Sequence, residues 1–462
     1  WSDIDALKVD YELVFDFVIN HGSSQHPRFK EFLEDQPPGN QYFITADEHT
    51  DVSTVTRPRA SRLLQQYDTA CGPRFVWCTF SRDQVDWNFA NPDVLYDFVD
   101  AFMLYLEHGA RWLRIDAIAY LWKQLGTTCV HLPQTHAVVK ALRAISDSIS
   151  PSIKLLTETN VPQDENFSYF GEGDEAHIVY NFSLPPLLTH ALLSGDGRHL
   201  TNWCRSTPPL PHGCTLLNFT ASHDGIGLRP AEGILNDRET QDLVRCLRSF
   251  GGLVTERRKP DGSLSPYEAN ISLFDAFKGT IAGIDDMQTE RFLLSQCLML
   301  ALKGVPALYY NSLLATPNHV KGVEQTGRNR TINRRKWTLK EIAATLEPVD
   351  GPAKQVLDGL RTMIEVRRRQ PAFHPEAGQS CLELDPRLFA LRRSDDDSGQ
   401  RLICVFNLSN QTVSVAANAL GISTFDETQT IFEKGRMRVD MHSLELGPYA
   451  ALWSDVQPSM IR

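Results

Sequence analysis

Three acids have the clearest capacity for chemistry: Asp116, Glu158 and Asp224. The chain holds 57 acidic residues, so residue type alone singles out none of them. Their contexts do. Asp116 lies two residues after Arg114, and in an extended strand such a pair shares a face. A neighbouring guanidinium favours the ionised carboxylate, the form a nucleophile requires. Glu158 closes the apolar run 153–157. A partly desolvated carboxylic acid keeps its proton to higher pH and can donate it near neutrality. Asp224 follows His223 and precedes Gly225, and His beside Asp can hold the hydroxyls of a polar ligand. Two carboxylates flanking one bond are what glycoside chemistry needs, with about 5–5.5 Å between them for a covalent glycosyl intermediate and net retention. A metal-dependent hydrolase with His and Asp ligands is the rival. The histidines are isolated, with no His-x-His or His-Glu-x-x-His pattern, which weakens it.

The elements that must position these acids follow a pattern. Short apolar runs alternate with longer helical stretches such as 92–108 and 134–148. The run 12–19 ends in Asn20-His21, the run 111–115 in Asp116, and 153–157 in Glu158. The run 178–180 ends in Asn181, 215–220 leads to His223-Asp224, and 305–310 follows a long apolar helix. Alternating strands and helices imply βα units and a parallel sheet. In a closed (β/α) barrel the C-terminal ends of the strands form the active-site face. Helix N-termini also point there, which suits anions.

Two stretches interrupt the alternation. The segment 22–82 is too long for an ordinary loop and reads as an inserted subdomain. A second insertion spans about 229–286. From residue 375 the pattern turns to short strands, with 401–406 and 411–415 flanking 407–410 as a hairpin would. The expected organisation is therefore 1–21 as the start of a barrel, 22–82 as the inserted subdomain, 83–374 as the rest of the barrel, and 375–462 as an all-β domain.

Composition narrows the field. The chain has 462 residues, of which 42% are hydrophobic and 22% charged, as expected of a folded protein with a large core. Its net charge of −11 argues against a surface built for nucleic acid or an anionic membrane. Nine cysteines with no Cys-x-x-Cys pair and no zinc spacing read as reduced, buried side chains of a cytoplasmic protein. No apolar run is long enough for a transmembrane helix, and no signal peptide is expected.

Four segments together resemble a known family. They are Asp16-Phe-Val-Ile-Asn20-His21, Arg114-Ile-Asp116-Ala117, Leu156-Thr-Glu158 and Phe219-Thr-Ala-Ser-His223-Asp224. Their wording and order are similar to the α-amylase superfamily, glycoside hydrolase family 13. Further marks resemble its sucrose phosphorylase branch. They are Gln84-Val-Asp86, Leu125-Gly-Thr-Thr128, Phe182-Ser-Leu-Pro185-Pro186, His223-Asp-Gly-Ile-Gly227 and Thr326-Gly-Arg-Asn-Arg330. The implied fold is a (β/α)8 TIM-type barrel, with an inserted subdomain and a C-terminal all-β domain. The first recognisable strand corresponds to the family's third, so a barrel lacking its first two βα units is expected here.

The resemblance also implies roles. Asp116 would be the nucleophile, Glu158 the general acid and base, and Asp224 the stabiliser of the transition state. Arg114, His21, His223 and Arg330 would hold the glucosyl group, and Tyr120 would stand beside the acceptor. Phosphate would need local positive charge in an acidic protein, and Arg59 and the basic stretch around Arg330 and Arg334 offer it. No glycine-rich phosphate loop is present, so inorganic phosphate or a sugar phosphate is expected rather than a nucleotide. The segment 260–270, with Tyr267 and Glu268, lies where this branch has its acceptor loop. Its wording, with Thr159-Asn160 after Glu158, resembles the relatives that act on sucrose 6'-phosphate, glucosylglycerol or glucosylglycerate more than plain sucrose phosphorylase, and among these glucosylglycerate or glucosylglycerol is expected. Asn20 is expected to act as an orienting hydrogen-bond partner, and neither a metal nor a cofactor is implied. A homodimer stays open. The alternatives are an α-glucosidase or transglucosidase, and an inactive fragment that binds sugar.

Overall fold

The computed structural model describes residues 1–58, 61–258 and 263–457. Its contacts divide into two units. The first comprises Trp1–Tyr180, Leu210–Cys214 and Arg257–Ser265, and the second Asn181–Pro209, Thr215–Glu256 and Pro266–Arg462.

In the first unit four parallel strands run side by side: Leu13–Phe17, Ala110–Ile115, Lys154–Thr157 and Ile178–Tyr180. Leu113, Ile115, Leu155 and Leu156 are buried, because a parallel sheet covered on both faces needs apolar side chains on both. The register sets Asp16 beside Arg114 and Ile115 beside Thr157. The polar residues that follow, Asp116 and Glu158, therefore leave adjacent strands at one level. The connecting helices form where the sequence starts them. Asn91 caps Pro92–Glu107 by accepting from the Asp93 N–H, and Pro92 occupies the first turn, where its missing donor is not needed. The helix Pro133–Ile149 buries Val138, Val139 and Leu142 along one stripe.

Between the first strand and Pro92–Glu107 the chain builds two small antiparallel sheets. One pairs His21–Ser23 with Gln84–Asp86, with His21 opposite Asp86. The other joins Thr45–Ala46, Gly72–Trp77 and Leu64–Thr69. Gly72 takes φ +98 in the tight turn of that second hairpin, a conformation that side-chain-bearing residues rarely adopt. Trp77, Leu63, Leu64, Val55 and Cys129 make a local core under it.

The second unit contains the parallel pair Thr215–Phe219 and Val305–Ala307. All six strands read from the sequence thus form among the described residues, four in the first unit and two in the second. The helix Leu184–Ser194 is buried from Leu184 to Leu193, and Gln288–Ala301 is buried along most of its length. Such all-round apolar helices belong inside a large core. The helix Asp237–Ser249 starts with a capping box between Asn236 and Glu239.

The C-terminal strands form two antiparallel sheets. The larger runs Gly378–Leu382, Leu388–Ser394, Arg401–Asn407, Ala451–Val456, Thr428–Lys434 in spatial order. The smaller runs Val413–Ala416, Ser443–Leu446, Met437–Asp440. Here the expected hairpin does not form. Arg401–Asn407 has both edges taken, by Leu388–Ser394 and Ala451–Val456, and Val413–Ala416 belongs to the other sheet. The Asn407 side chain redirects the backbone by donating to the carbonyls of Gln411, Leu446 and Gly447 at 2.6, 3.1 and 2.8 Å. Among the described residues no helix is long and apolar enough to cross a membrane.

Candidate active site

In the first unit the site is organised by one guanidinium. Arg114 NH1 donates to Asp16 Oδ1 at 2.6 Å and to Asp116 Oδ1 at 2.8 Å, and its Nε donates to the Tyr180 hydroxyl at 3.1 Å. Glu158 Oε1 lies 3.9 Å from Arg114 NH2. Burial works against the charge on Arg114, but Glu158, Tyr180, Asp116 and Asp16 together raise its pKa. It is a fixed cation, and it links both candidate catalytic acids. Glu158 Oε2 also accepts from the Ala117 N–H at 3.0 Å. That amide follows Asp116, so Glu158 is tied to the turn that carries Asp116 as well as to the shared guanidinium.

The backbone at that point is strained. Ala117 has φ 49 and ψ 32, the left-handed region, which non-glycine residues seldom occupy. The turn swings the chain directly from the strand into the 3-10 turn Ile118–Tyr120, and the small Ala117 side chain lessens the cost. Tyr120 packs edge-on to Phe80, with ring centroids 5.4 Å apart, and Phe80 lies 5.2 Å from the His21 ring. Burial lowers the His21 pKa against the pull of Asp86, Asp116 and Asp16, which leaves the ring neutral at pH 7.

The second unit holds another arginine-centred cluster. Arg330 pairs through NH1 with Asp224 Oδ1. It also grips Glu268 with two donors, Nε to Oε1 at 3.0 Å and NH2 to Oε2 at 2.5 Å. Burial again opposes the charge, and Glu268 and Asp224 more than offset it, raising the Arg330 pKa. Arg334 NH2 donates to Asp224 Oδ1 at 3.1 Å, and its Nε donates to the His223 carbonyl. Asn333 Nδ2 donates to the carbonyls of Ser222 and Asp224 at 3.1 and 2.7 Å, which fixes the loop that carries the acid. The His223 side chain is 54% exposed, with Nε2 3.7 Å from Asp224 Oδ1.

The residues singled out in the sequence thus fall into two groups. His21, Arg114, Asp116, Tyr120 and Glu158 gather in the first unit, and His223, Asp224, Tyr267, Glu268 and Arg330 in the second. Arg59 lies outside the described residues. The Glu268 side chain is 1% exposed and bound to Arg330 in fork-to-fork fashion, so it supports that arginine. Tyr267 is buried too.

Sequence reasoning missed Asp16, Tyr180 and Lys123. Asp16 was within reach, since a charged residue inside the apolar run 13–17 needs a reason. The Lys123 ammonium is buried and sits 2.6 Å from Asp86 Oδ2 and 2.9 Å from Asn20 Oδ1. The Asn20 side-chain oxygen therefore already faces a cation. Among the described residues no group of three or more His, Cys, Asp or Glu is placed to hold a metal ion.

Comparisons with known proteins identify the family. The family described as alpha amylase, catalytic domain, matches residues 5–200. A glucosylglycerate phosphorylase of Spirochaeta thermophila is 41% identical, over 98% of this chain and 78% of that protein. One from Escherichia coli is also 41% identical, over 88% and 73%. Among solved structures, the sucrose 6F-phosphate phosphorylase from Thermoanaerobacter thermosaccharolyticum superposes with a TM-score of 0.76 at 20% identity, over 88% of this chain and 82% of that one. The fold is accordingly of the TIM-barrel type found in α-amylases, with additional all-β strands in the C-terminal region. The chain belongs to the α-amylase superfamily, in the sucrose phosphorylase-like branch that contains the glucosylglycerate phosphorylases.

Proposed function

We propose that this protein is a retaining α-glucoside phosphorylase whose substrate is glucosylglycerate, and that it moves the glucosyl group to inorganic phosphate. The observation that carries the reading is the convergence of Asp116 and Glu158 on Arg114, with Glu158 also accepting from the Ala117 amide. In the first step an Asp116 carboxylate oxygen attacks the anomeric carbon while Glu158 gives its proton to the leaving oxygen, and glycerate departs. In the second step Glu158, now a carboxylate, takes a proton from phosphate. The phosphate oxygen then displaces Asp116 from the anomeric carbon. Two inversions leave α-glucose 1-phosphate. Arg114 stays charged throughout and offsets the two acids.

The other assignments rest on the motifs. Asp224 is given the role of stabilising the oxocarbenium-like transition state, and His21, His223 and Arg330 the sugar hydroxyls. Tyr120 and Tyr267 are given the acceptor, and Arg59 and Arg334 the phosphate. Glycerate is preferred to glycerol because its carboxylate would gain from the same arginines. The nine cysteines are all free, which suits a reducing, cytoplasmic setting.

The test is an assay of glucosylglycerate with and without inorganic phosphate. Phosphate-dependent release of glucose 1-phosphate is expected. Phosphate-independent glucose would mean a glucosidase, and no product from a folded sample that still binds sugar would mean a binding protein. A reverse reaction of glucose 1-phosphate with glycerate, glycerol, fructose and fructose 6-phosphate should favour glycerate, and equal rates with all four would refute that choice.

A further inference from the structure

The buried chain Lys123, Asn20, His21 has a consequence for how the imidazole carries its proton. The Lys123 side chain is 3% exposed and that of Asp86 is fully buried. The ammonium has oxygen neighbours on several sides: Asp86 Oδ2 at 2.6 Å, Asn20 Oδ1 at 2.9 Å and the Leu121 carbonyl at 3.4 Å. Lysine has only donors, so the Asn20 atom that faces it must be the amide oxygen. The Asn20 Nδ2 then faces Asp86 Oδ2 at 3.4 Å and His21 Nδ1 at 3.2 Å. An amide nitrogen donates, so Nδ1 must accept. In a neutral imidazole the proton is then on Nε2.

The remaining contact settles into the same pattern. Gln84 Nε2 lies 2.8 Å from His21 Nε2, and Gln84 Oε1 lies 2.9 Å from the Ser81 hydroxyl. A half-turn of that amide sets its oxygen against the His21 N–H and its NH2 against the Ser81 oxygen. A serine hydroxyl donates or accepts equally well, so this side of the ring imposes no choice. The lysine side does, because an ammonium cannot accept.

We propose that Lys123 is a positioning residue: by fixing the Asn20 amide it holds His21 as the Nε2–H tautomer, so that an arriving sugar hydroxyl can compete with the Gln84 oxygen for the donor that Nε2 presents. This rests on the reading of His21 as a sugar contact. Asp86 keeps the lysine in place, and its own oxygens are bonded further by the Thr79 N–H at 3.0 Å and the Thr79 hydroxyl at 2.6 Å. The tautomer is thus set by residues far along the chain, on the far side of the ring from Nε2.

The experiment uses the full chain labelled with 15N-histidine. Long-range proton–nitrogen correlation spectra at pH 7.5 report the tautomer of each ring, and His21→Gln identifies the His21 signals by their loss. The wild type should show Nε2–H. Asn20→Asp supplies a carboxylate that only accepts, so the His21 proton should move to Nδ1. KM for the glucoside should rise about tenfold, the scale of one lost hydrogen bond, with a smaller change in kcat. Lys123→Met frees the Asn20 amide and should give both tautomers. That variant leaves Asp86 without its cation, so Asn20→Asp, which keeps the ion pair, carries the test if Lys123→Met does not fold. An Nδ1–H signal in the wild type overturns the proposal. So does an unchanged tautomer in Asn20→Asp, or a changed tautomer with unchanged KM. The spectra need no turnover, so a chain inactive in phosphorolysis still reports whether Lys123 sets the tautomer.

Discussion

The two arginine clusters use the same parts differently. Arg114 holds its acids by single contacts, one nitrogen to Asp16 and Asp116 and another at longer range to Glu158. Arg330 closes two of its three nitrogens on Glu268 and touches Asp224 with the third. In the first cluster the acids stay partly accessible, with 23% of the Asp116 side chain exposed. In the second, Glu268 is sealed. A carboxylate gripped by a two-pronged guanidinium is part of the framework, because both of its oxygens are occupied. One held at a single oxygen keeps the other for a reaction. On the proposed reading this separates Asp116, the acid assigned to attack, from Glu268, which supports Arg330; Glu158, engaged at both oxygens, is set apart by its partial exposure instead.

That contrast is open to direct attack. The largest effect should come from Asp116→Asn, which lowers kcat by roughly 10⁴-fold or more while leaving stability within about 1 kcal/mol. Steady-state kinetics and chemical denaturation measure both, and retained turnover would remove Asp116 from the nucleophile role. Glu158→Gln should cost about 10²–10⁴-fold in kcat at similar stability.

Next in size is a pH effect in the strand that delivers Glu158. His177 accepts from the Leu155 N–H at 3.1 Å, and burial pushes its pKa down to about 4. The unfolded chain binds this proton below about 6.5, and the folded chain does so only below about 4. Its contribution is therefore complete above pH 6.5 and lost as pH falls toward 4, on the order of 3 kcal/mol in all. His177→Asn should flatten that slope in urea unfolding measured between these limits. An unaltered slope would assign the acid sensitivity elsewhere.

Glu268→Gln should cost about 2 kcal/mol of stability. That is less than the ~3–5 kcal/mol of a fully buried broken pair, because 30% of the Arg330 side chain is exposed. Its kcat should change far less than that of Asp116→Asn, and a collapse of kcat at full stability would make Glu268 a reacting group. The smallest change is expected of Tyr180→Phe, which removes one hydrogen bond from the charged Arg114 to a neutral hydroxyl. About 1.5 kcal/mol, or roughly tenfold in kcat/KM, is the scale of such a bond.

Much of the fold was legible because strand periodicity and helix caps are local signals. The runs around Asp116 and Glu158 gave both the strands and the acids at their ends. The hairpin at 401–415 was misread for the same reason. Two short β runs around a four-residue loop look alike whether or not they pair, and a distant side-chain interaction of Asn407 decided against it. The grip of Arg330 on Glu268 was not legible because the partner, 62 residues away, leaves no mark in the segment of Glu268. Lys123 and Asp86, 37 positions apart, escaped notice similarly, although a lysine within Tyr120-Leu-Trp-Lys123 carries a hint.

The sequence by itself determined the strand order along the chain, the acids at the strand ends and the family, since each is written in contiguous residues. Only the tertiary structure decided which oxygens of those acids are occupied, which arginine each one faces, and that a buried ammonium confronts Asn20. These depend on pairings between segments far apart in sequence, where the low dielectric of the interior makes an unpaired donor or acceptor costly.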